Sequence, residues 1–356
     1  MNTQRRILTL NFTGIDLVKY AAAIMIICIH CDAVVDSPLY NFIIKNIICR
    51  LAVPYFFITA GFFVRKGMTK SEGYLQRYLL TMGKSYLLWS LLFLPLGLQW
   101  ISQQFDLPIL LYPVALLVGL IYVGTYYHLW YIPATMFALV LTHFLLKRLG
   151  YVKLLGFSIV LYSLGCLESY SGLLNGTMLG DLFKLYQQFF ITTRNGLFFG
   201  FVFIVLGFLL HDYGNKLAVI QLYSGRLLIL LSIISLLEGM LLFFNPGTDA
   251  NFLFSQLLFS PVFFLWTLSL RVPKNWNYRQ LRELSKYYYF LHPLVLFFSQ
   301  LLLAQLSVQW LLPTGLLQFL LVVSVTHLLS TGIISITGKL RARKNAPAIK
   351  PQHVQN

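Results

Sequence analysis

Apolar stretches long enough to cross a bilayer recur from one end of this chain to the other, and they leave few folds open. At about 1.5 Å of rise per residue, a hydrocarbon core of ~30 Å takes about 20 residues of helix. Ten such stretches are read, at 14–34, 47–64, 83–101, 129–146, 154–169, 195–211, 227–244, 252–270, 287–306 and 313–337. Of the 356 residues 58% are hydrophobic and 11% charged, and the mean hydropathy is +0.73. That composition excludes a water-soluble domain of this size. The expected fold class is an all-α integral membrane protein of about ten transmembrane helices, with the lipid bilayer as its first partner. Residues 1–340 are expected to form one membrane domain and 341–356 a basic, disordered tail at the inner leaflet. Residues 1–10 are polar and basic, and no small-residue cleavage site follows the first apolar run, so that run is expected to stay as a helix. No appended soluble domain is read.

The segment 107–125 is apolar enough for an eleventh span but carries Pro108, Pro113, Gly119 and Gly124. Basic residues collect in cytoplasmic loops, and this rule decides its status. With ten spans and both termini inside, 22 of the 27 Lys and Arg residues fall on the inner side. Only Lys45, Arg50, Lys184 and Arg194 fall outside, and Lys19 lies within the first span. Counting 107–125 as a full span would move Lys147, Arg148 and Lys153 outward, so it is read as re-entrant or interfacial, buried by protein. The localisation expected is a bacterial-type cell membrane, crossed many times.

The formal charge of +16 is accounted for by these inner loops, so nucleic acid is not expected as a partner. Cys28, Cys31, Cys49 and Cys166 all sit in or beside apolar stretches, which argues against a disulfide framework. Cys28 and Cys31 flank His30, but their side chains point to different helix faces and no fourth ligand is evident, so no metal is expected.

Ionisable groups inside spans are costly and tend to mark substrate paths. Lys19 and His30 are eleven residues apart, about three helical turns, so they share one face, with Asp16 three residues earlier on the same stripe. By rise alone His30 lies ~16 Å from Lys19. The plain alternative is that Lys19 snorkels to the inner headgroups paired with Asp16, while His30 is a satisfied buried imidazole. A neutral imidazole is also the state a general base needs. Further on, "CRLAVPYFFITAGFFVRKG" places Arg50 at the start of a span, the small residues Thr59, Ala60 and Gly61 within it, and Arg65 and Lys66 at its end. "YYHLWYIPA" contains Tyr127, His128 and Trp130, and "TTRNGLFFG" contains Arg194. Glu238 and His292 each interrupt a span, whereas Tyr and Trp at such places are commonly interface belt residues.

Taken in order, Lys19 to His30, "RLAVPYFFITAGFF", "YHLWYIPA", "TRNGLFFG" and "LHP" resemble the membrane-bound acyltransferase-3 family, and within it the membrane half of vancomycin-resistance serine racemases. The resemblance covers residues 12 to 340. It implies a ten-helix core that transfers an acyl group, usually acetyl, from cytoplasmic acyl-CoA to a hydroxyl of an extracytoplasmic glycan or other envelope acceptor. By position, His30 looks like the family's essential histidine and Lys19 like its basic partner, which is commonly Arg. Lys keeps the charge but lacks the planar fork that grips phosphate in two places.

On that basis Asp16, Lys19 and His30 form the candidate catalytic set. The phosphates of acetyl-CoA, the acyl donor, would meet Lys19, Arg65, Lys66, Arg77 and Lys84. His30 would take the acceptor's proton, or itself carry the acyl group. Arg50, Tyr127, His128, Trp130, Arg194, Glu238 and His292 are the candidate acceptor or pocket residues. Acceptor choice is expected in segments 101–128 and 170–194. Two other readings stand beside this one: a transporter for a small amino acid such as serine, suggested by the racemase relatives, and a non-catalytic scaffold.

Overall fold

The computed structural model describes residues 12–104, 107–273, 275–306 and 314–344. Arg5, Arg6, Lys274, Lys350, the beginning of the tenth stretch and the tail from residue 345 lie outside the described residues. The described residues are helical, joined by turns and short irregular segments.

Helix α1, Phe12–His30, ends at its histidine rather than at residue 34. The short α2, Pro38–Phe42, begins at Ser37, whose side chain accepts the Tyr40 N–H. The chain passes through a π-helical turn, Ile43–Ile48, and a 3-10 turn, Cys49–Leu51, into α3, Ala52–Met68. Phe12 packs on Phe62 and Phe63, and Lys66 lies over the Phe12 ring, so α1 and α3 run antiparallel. One end of this pair carries Lys19 and Arg65, and the other His30 and Arg50.

The third apolar stretch is not one straight span. Helices α4, Tyr74–Leu92, and α5, Leu94–Gln104, meet at 69° around Phe93. The segment 107–125 forms a 3-10 turn, the α6 helix Tyr112–Val118 and a π-helical turn, Gly119–Val123. At 15 residues from Ile109 to Val123 it is too short to span. The expectation that protein buries it is corrected, because Ile109, Leu110 and Ile121 are among its widely exposed side chains. A continuous helical turn pairs its own backbone groups and tolerates lipid.

Helix α7, Tyr131–Tyr170, is broken at Gly150, with φ 68° and ψ 173°. Trp130 lies under Arg194 at one end of α7, and Glu168 near its other end bonds Thr192 and Thr193. Tyr151 instead reaches Asp212, the partner of Arg65. The two halves therefore fold back on each other at Gly150, a residue without the Cβ that penalises this backbone region. This hairpin recovers the fourth and fifth stretches as separate helices.

Next come α8, Met178–Phe190, a π-helical turn, Gly196–Gly200, and α9, Phe201–Asp212. Then follow α10, Ala218–Phe244, α11, Gln256–Leu268, α12, Tyr278–Leu306, and α13, Thr314–Lys344. The core is built around α3, α7, α9 and α11, where Tyr55, Phe57, Tyr162, Phe201, Phe203 and Phe264 are fully buried. Gly61 and Gly207 set the spacing of α3 and α9. A Cβ on Gly207 would lie 2.4 Å from the Ile58 carbonyl oxygen, and one on Gly61 2.7 Å from that of Ile204. Leu and Ile side chains of α10 and α13 remain exposed along their outer faces, as a lipid-facing surface requires.

Candidate active-site cavity

A cavity of about 540 Å³ lies among α1, α3, α4, the start of α7 and α12. On α1 it is lined by Lys19, Ile26, Ile29 and His30, so the helix stripe read from spacing opens into one space. From the 3-10 turn into α3 the lining runs from Arg50 through Val53, Phe56 and Ala60 to Phe63, thirteen steps of helix or ~20 Å by rise. The wall is mainly apolar between two polar ends.

At the first end stand Lys19, Arg282, Glu283 and Lys286. Arg282 grips Asp16 with two bonds, Nε to Oδ1 at 2.9 Å and Nη2 to Oδ2 at 2.6 Å. The ion-pair partner of Asp16 is therefore Arg282, where the plain alternative pairs it with Lys19. Ser285 donates to the Lys19 carbonyl, pinning α12 to α1 one turn further on. With α12 parallel to α1 in this way, His292 comes level with His30.

Three imidazoles meet at the second end. The His30 and His292 rings stack at 5.5 Å with 24° between planes, and His128 packs edge-on to His292 at 5.7 Å. Tyr127 covers His30 at 4.8 Å. His292 is 1% exposed and its Nδ1 lies 2.7 Å from the Tyr288 carbonyl. A carbonyl only accepts, so Nδ1 carries the hydrogen and Nε2 presents its lone pair, with no partner. Both ring nitrogens of His128 are also buried without partners. The Tyr127 hydroxyl is likewise buried without a partner, and because buried polar atoms are nearly always bonded, unpaired ones on three neighbouring groups mark the place as chemically unusual. Among the described residues no three His, Cys, Asp or Glu are arranged to hold a metal ion.

Beside the histidines, Arg50 and Arg194 converge on one carboxylate. Arg50 Nη2 is 3.4 Å from Asp249 Oδ1, and Arg194 Nη1 is 3.8 Å from Oδ2. Arg194 lies over the Trp130 ring at 5.3 Å. Its backbone is held by its neighbours. Thr192 and Thr193 donate to the buried Glu168, Asn195 Oδ1 accepts the Leu197 and Phe198 N–H groups, and Asn195 Nδ2 donates to Tyr122. A cap of this kind at the head of a helix fixes where the preceding residue points. Gly124, at φ 83°, lets the opposite turn approach, since a Cβ there would lie 2.4 Å from the Trp130 nitrogen.

The residues read from sequence divide clearly. Lys19, His30, Arg50, His128, Trp130 and Arg194 line the cavity, and Tyr127 and His292 pack directly on its histidines. Arg65, Lys66, Arg77 and Lys84 do not line it. Arg65 is held by Asp212, Lys66 by the Phe12 ring and Arg77 by Ser71, while Lys84 is exposed. Glu238 is a staple elsewhere, accepting from Tyr170 and from the Phe254 and Ser255 N–H groups. Arg282, Lys286, Asp249 and Asn251 were missed as site residues. The first two were counted only as loop cations, and the last two sit in an irregular segment, Asn245–Ser255, with no local periodicity to single them out.

Comparison with known proteins gives a consistent picture. The acyltransferase-3 family profile, described as an acyltransferase domain, matches residues 12–335. An amino-acid racemase of Enterococcus faecalis is 32% identical over 344 residues, which is 93% of this chain and 47% of the relative. A serine/alanine racemase of Enterococcus gallinarum is 31% identical over 328 residues, 88% of this chain and 44% of the relative. The chain thus spans less than half the length of these relatives. No solved structure matches it.

Proposed function

Because the chain belongs to the acyltransferase-3 family, we propose that it moves an acyl group, acetyl in the simplest case, from acyl-CoA to a hydroxyl of an extracytoplasmic glycan or other envelope acceptor. The observation that carries this reading is a single cavity reaching from Lys19 to His30, cationic at one end and rich in imidazole at the other. With basic loops on the cytoplasmic side, the Lys19 end faces the cytosol. Lys19, Arg282 and Lys286 receive the donor's phosphates there, in place of the four cations first considered. The apolar wall of Val53, Phe56, Ala60 and Phe63 admits the donor's arm and limits hydrolysis.

His30 then takes the acceptor's hydroxyl proton as its oxygen attacks the thioester carbonyl. The new carbon–oxygen bond forms, the carbon–sulfur bond breaks, and the proton passes from His30 to the leaving thiolate. His292 stacks on His30 and orients it, and Asp16 acts by holding Arg282.

The test is label transfer from radiolabelled acetyl-CoA in inverted membrane vesicles, comparing the intact protein with His30→Ala at matched expression. Label that depends on His30 is the expected result, and its absence in acceptor-rich membranes refutes the reading. A second reading, uptake of a small amino acid, takes its support from the racemase relatives and from the two polar ends of the cavity. Serine flux into sealed vesicles that needs no acyl-CoA would establish it instead.

A further inference from the structure

We infer that the compound reaching His30 carries an anionic oxygen group, a carboxylate or a phosphate, held by Arg50 and Arg194. Calling that compound the acceptor rests on the acyl-transfer reading, whereas the anion site itself rests on the arginines alone.

The two arginines are under-paired. Two other guanidinium groups each hold a carboxylate closely: Arg282 has Asp16 at 2.6 and 2.9 Å, and Arg65 has Asp212 at 2.7 and 2.9 Å. Arg50 and Arg194 share one carboxylate at 3.4 and 3.8 Å. Asp249 is also claimed by the Ala250 N–H and by the Asn251 side-chain amide. The nearby Glu168 is occupied by Thr192 and Thr193. The Nε atoms of both arginines are buried and have no partner. Two unpaired Nε–H donors are therefore left on arginines that line the cavity holding His30.

A planar fork of N–H donors matches a carboxylate or phosphate, which accepts two bonds in parallel. A neutral hydroxyl acceptor offers no such partner, and an unpaired guanidinium at an apolar wall is costly to maintain. Arg194 also lies over the Trp130 ring at 5.3 Å, which restrains its fork before a ligand arrives. The distance of the pair from the Lys19 end separates this site from the donor's phosphates.

The experiment uses the purified full chain in detergent, titrated with D-glycerate, sn-glycerol 3-phosphate or glycerol while its apparent melting temperature is followed. Saturable stabilisation by glycerate, the phosphate or both is expected, at least tenfold weaker in R194Q and in R50Q, with glycerol silent. Response to glycerate alone assigns a carboxylate, and response to the phosphate alone assigns a phosphate. If either variant fails to fold, the lysine variant at the same position, R194K or R50K, replaces it, keeping the charge but losing the fork, and tenfold weakening is again expected. No stabilisation by either anion, or an equal response to glycerol, overturns the anion site. In parallel, the His30-dependent labelled product is passed over anion-exchange resin at pH 7. Retention supports an anionic acceptor, and a neutral product overturns that assignment while leaving acyl transfer standing. Anion binding without any His30-dependent label would overturn acyl transfer and leave the anion site standing.

Discussion

Replacing Gly207 by alanine tests how the cavity is held in shape. The new Cβ would sit 2.4 Å from the Ile58 carbonyl oxygen, 2.8 Å from the Phe62 nitrogen and 3.0 Å from the Gly61 Cα. Ordinary contact begins near 3.4 Å, so α9 must retreat from α3 by about 1 Å, and the obstacle is backbone, which cannot rotate away. Overpacking of this kind costs about 1–3 kcal/mol, partly offset by up to about 1 kcal/mol from alanine's better helix propensity. Gly156→Ala is the matched control, because nothing lies within 4 Å of its added carbon and only the propensity gain remains. Thermal unfolding of the detergent-purified proteins should therefore move in opposite directions for the two alanines. Function should suffer as well, since the turn leading into α3 carries Arg50 and the chain entering α9 carries Arg194 and Phe199. A shift near 1 Å at reacting groups can cost about 10²-fold in rate. Equal melting of Gly207→Ala, Gly156→Ala and the parent would refute the argument that backbone contact at Gly207 spaces these helices.

Four further outcomes are expected. His30→Ala should lower transfer by about 10²–10⁴-fold, the usual range for a general base, with the melting temperature retained. Lys19→Ala should raise the KM for acetyl-CoA with little change in kcat, and Lys19→Arg should restore it; an unchanged KM removes Lys19 from donor binding. His292→Phe keeps a ring beside His30 but deletes both nitrogens, so a fall in kcat with unchanged melting would show that the imidazole does more than pack, while full activity would limit the residue to packing. At the end of α9, burial raises the Asp212 pKa, but donors from Arg65, Tyr151 and His211 outweigh it and hold the carboxyl below the ordinary aspartate range. The stability it adds is present above the unfolded pKa near 4 and fades as pH falls through the lower folded value. Asp212→Asn should accordingly destabilise by about 1 kcal/mol at pH 7, as a partly exposed pair does, and the difference should shrink on titration to acid.

The helical architecture was legible because the bilayer imposes one length and one backbone solution on every span. Hydropathy read the fourth and fifth stretches as separate, and the hairpin at Gly150 agrees with that separation. The small residues around Gly61 announced a close approach but not its partner. Likewise, Lys19 and His30 were found by helical spacing because both lie on one helix, where three turns fix their relative position.

Contacts across the fold were another matter. Asp16 pairs with Arg282 over 266 positions, and Asp249 meets Arg50 and Arg194 from an irregular loop. Arg65, Lys66, Arg77 and Lys84 had the right charge and the right end of the helices, yet none of them lines the cavity. The bend at Phe93 and the exposure of Ile109–Val123 also went unseen, since hydropathy reports that a segment is apolar but not along which path it meets lipid. By itself the sequence determined the helices, their amphipathic stripes and the polar residues placed within them, because these follow from local periodicity. Only the tertiary structure decided which charges pair, which remain open on the cavity and how three histidines from α1, α12 and the turn before α7 come together, because those depend on helix packing between segments remote in the chain.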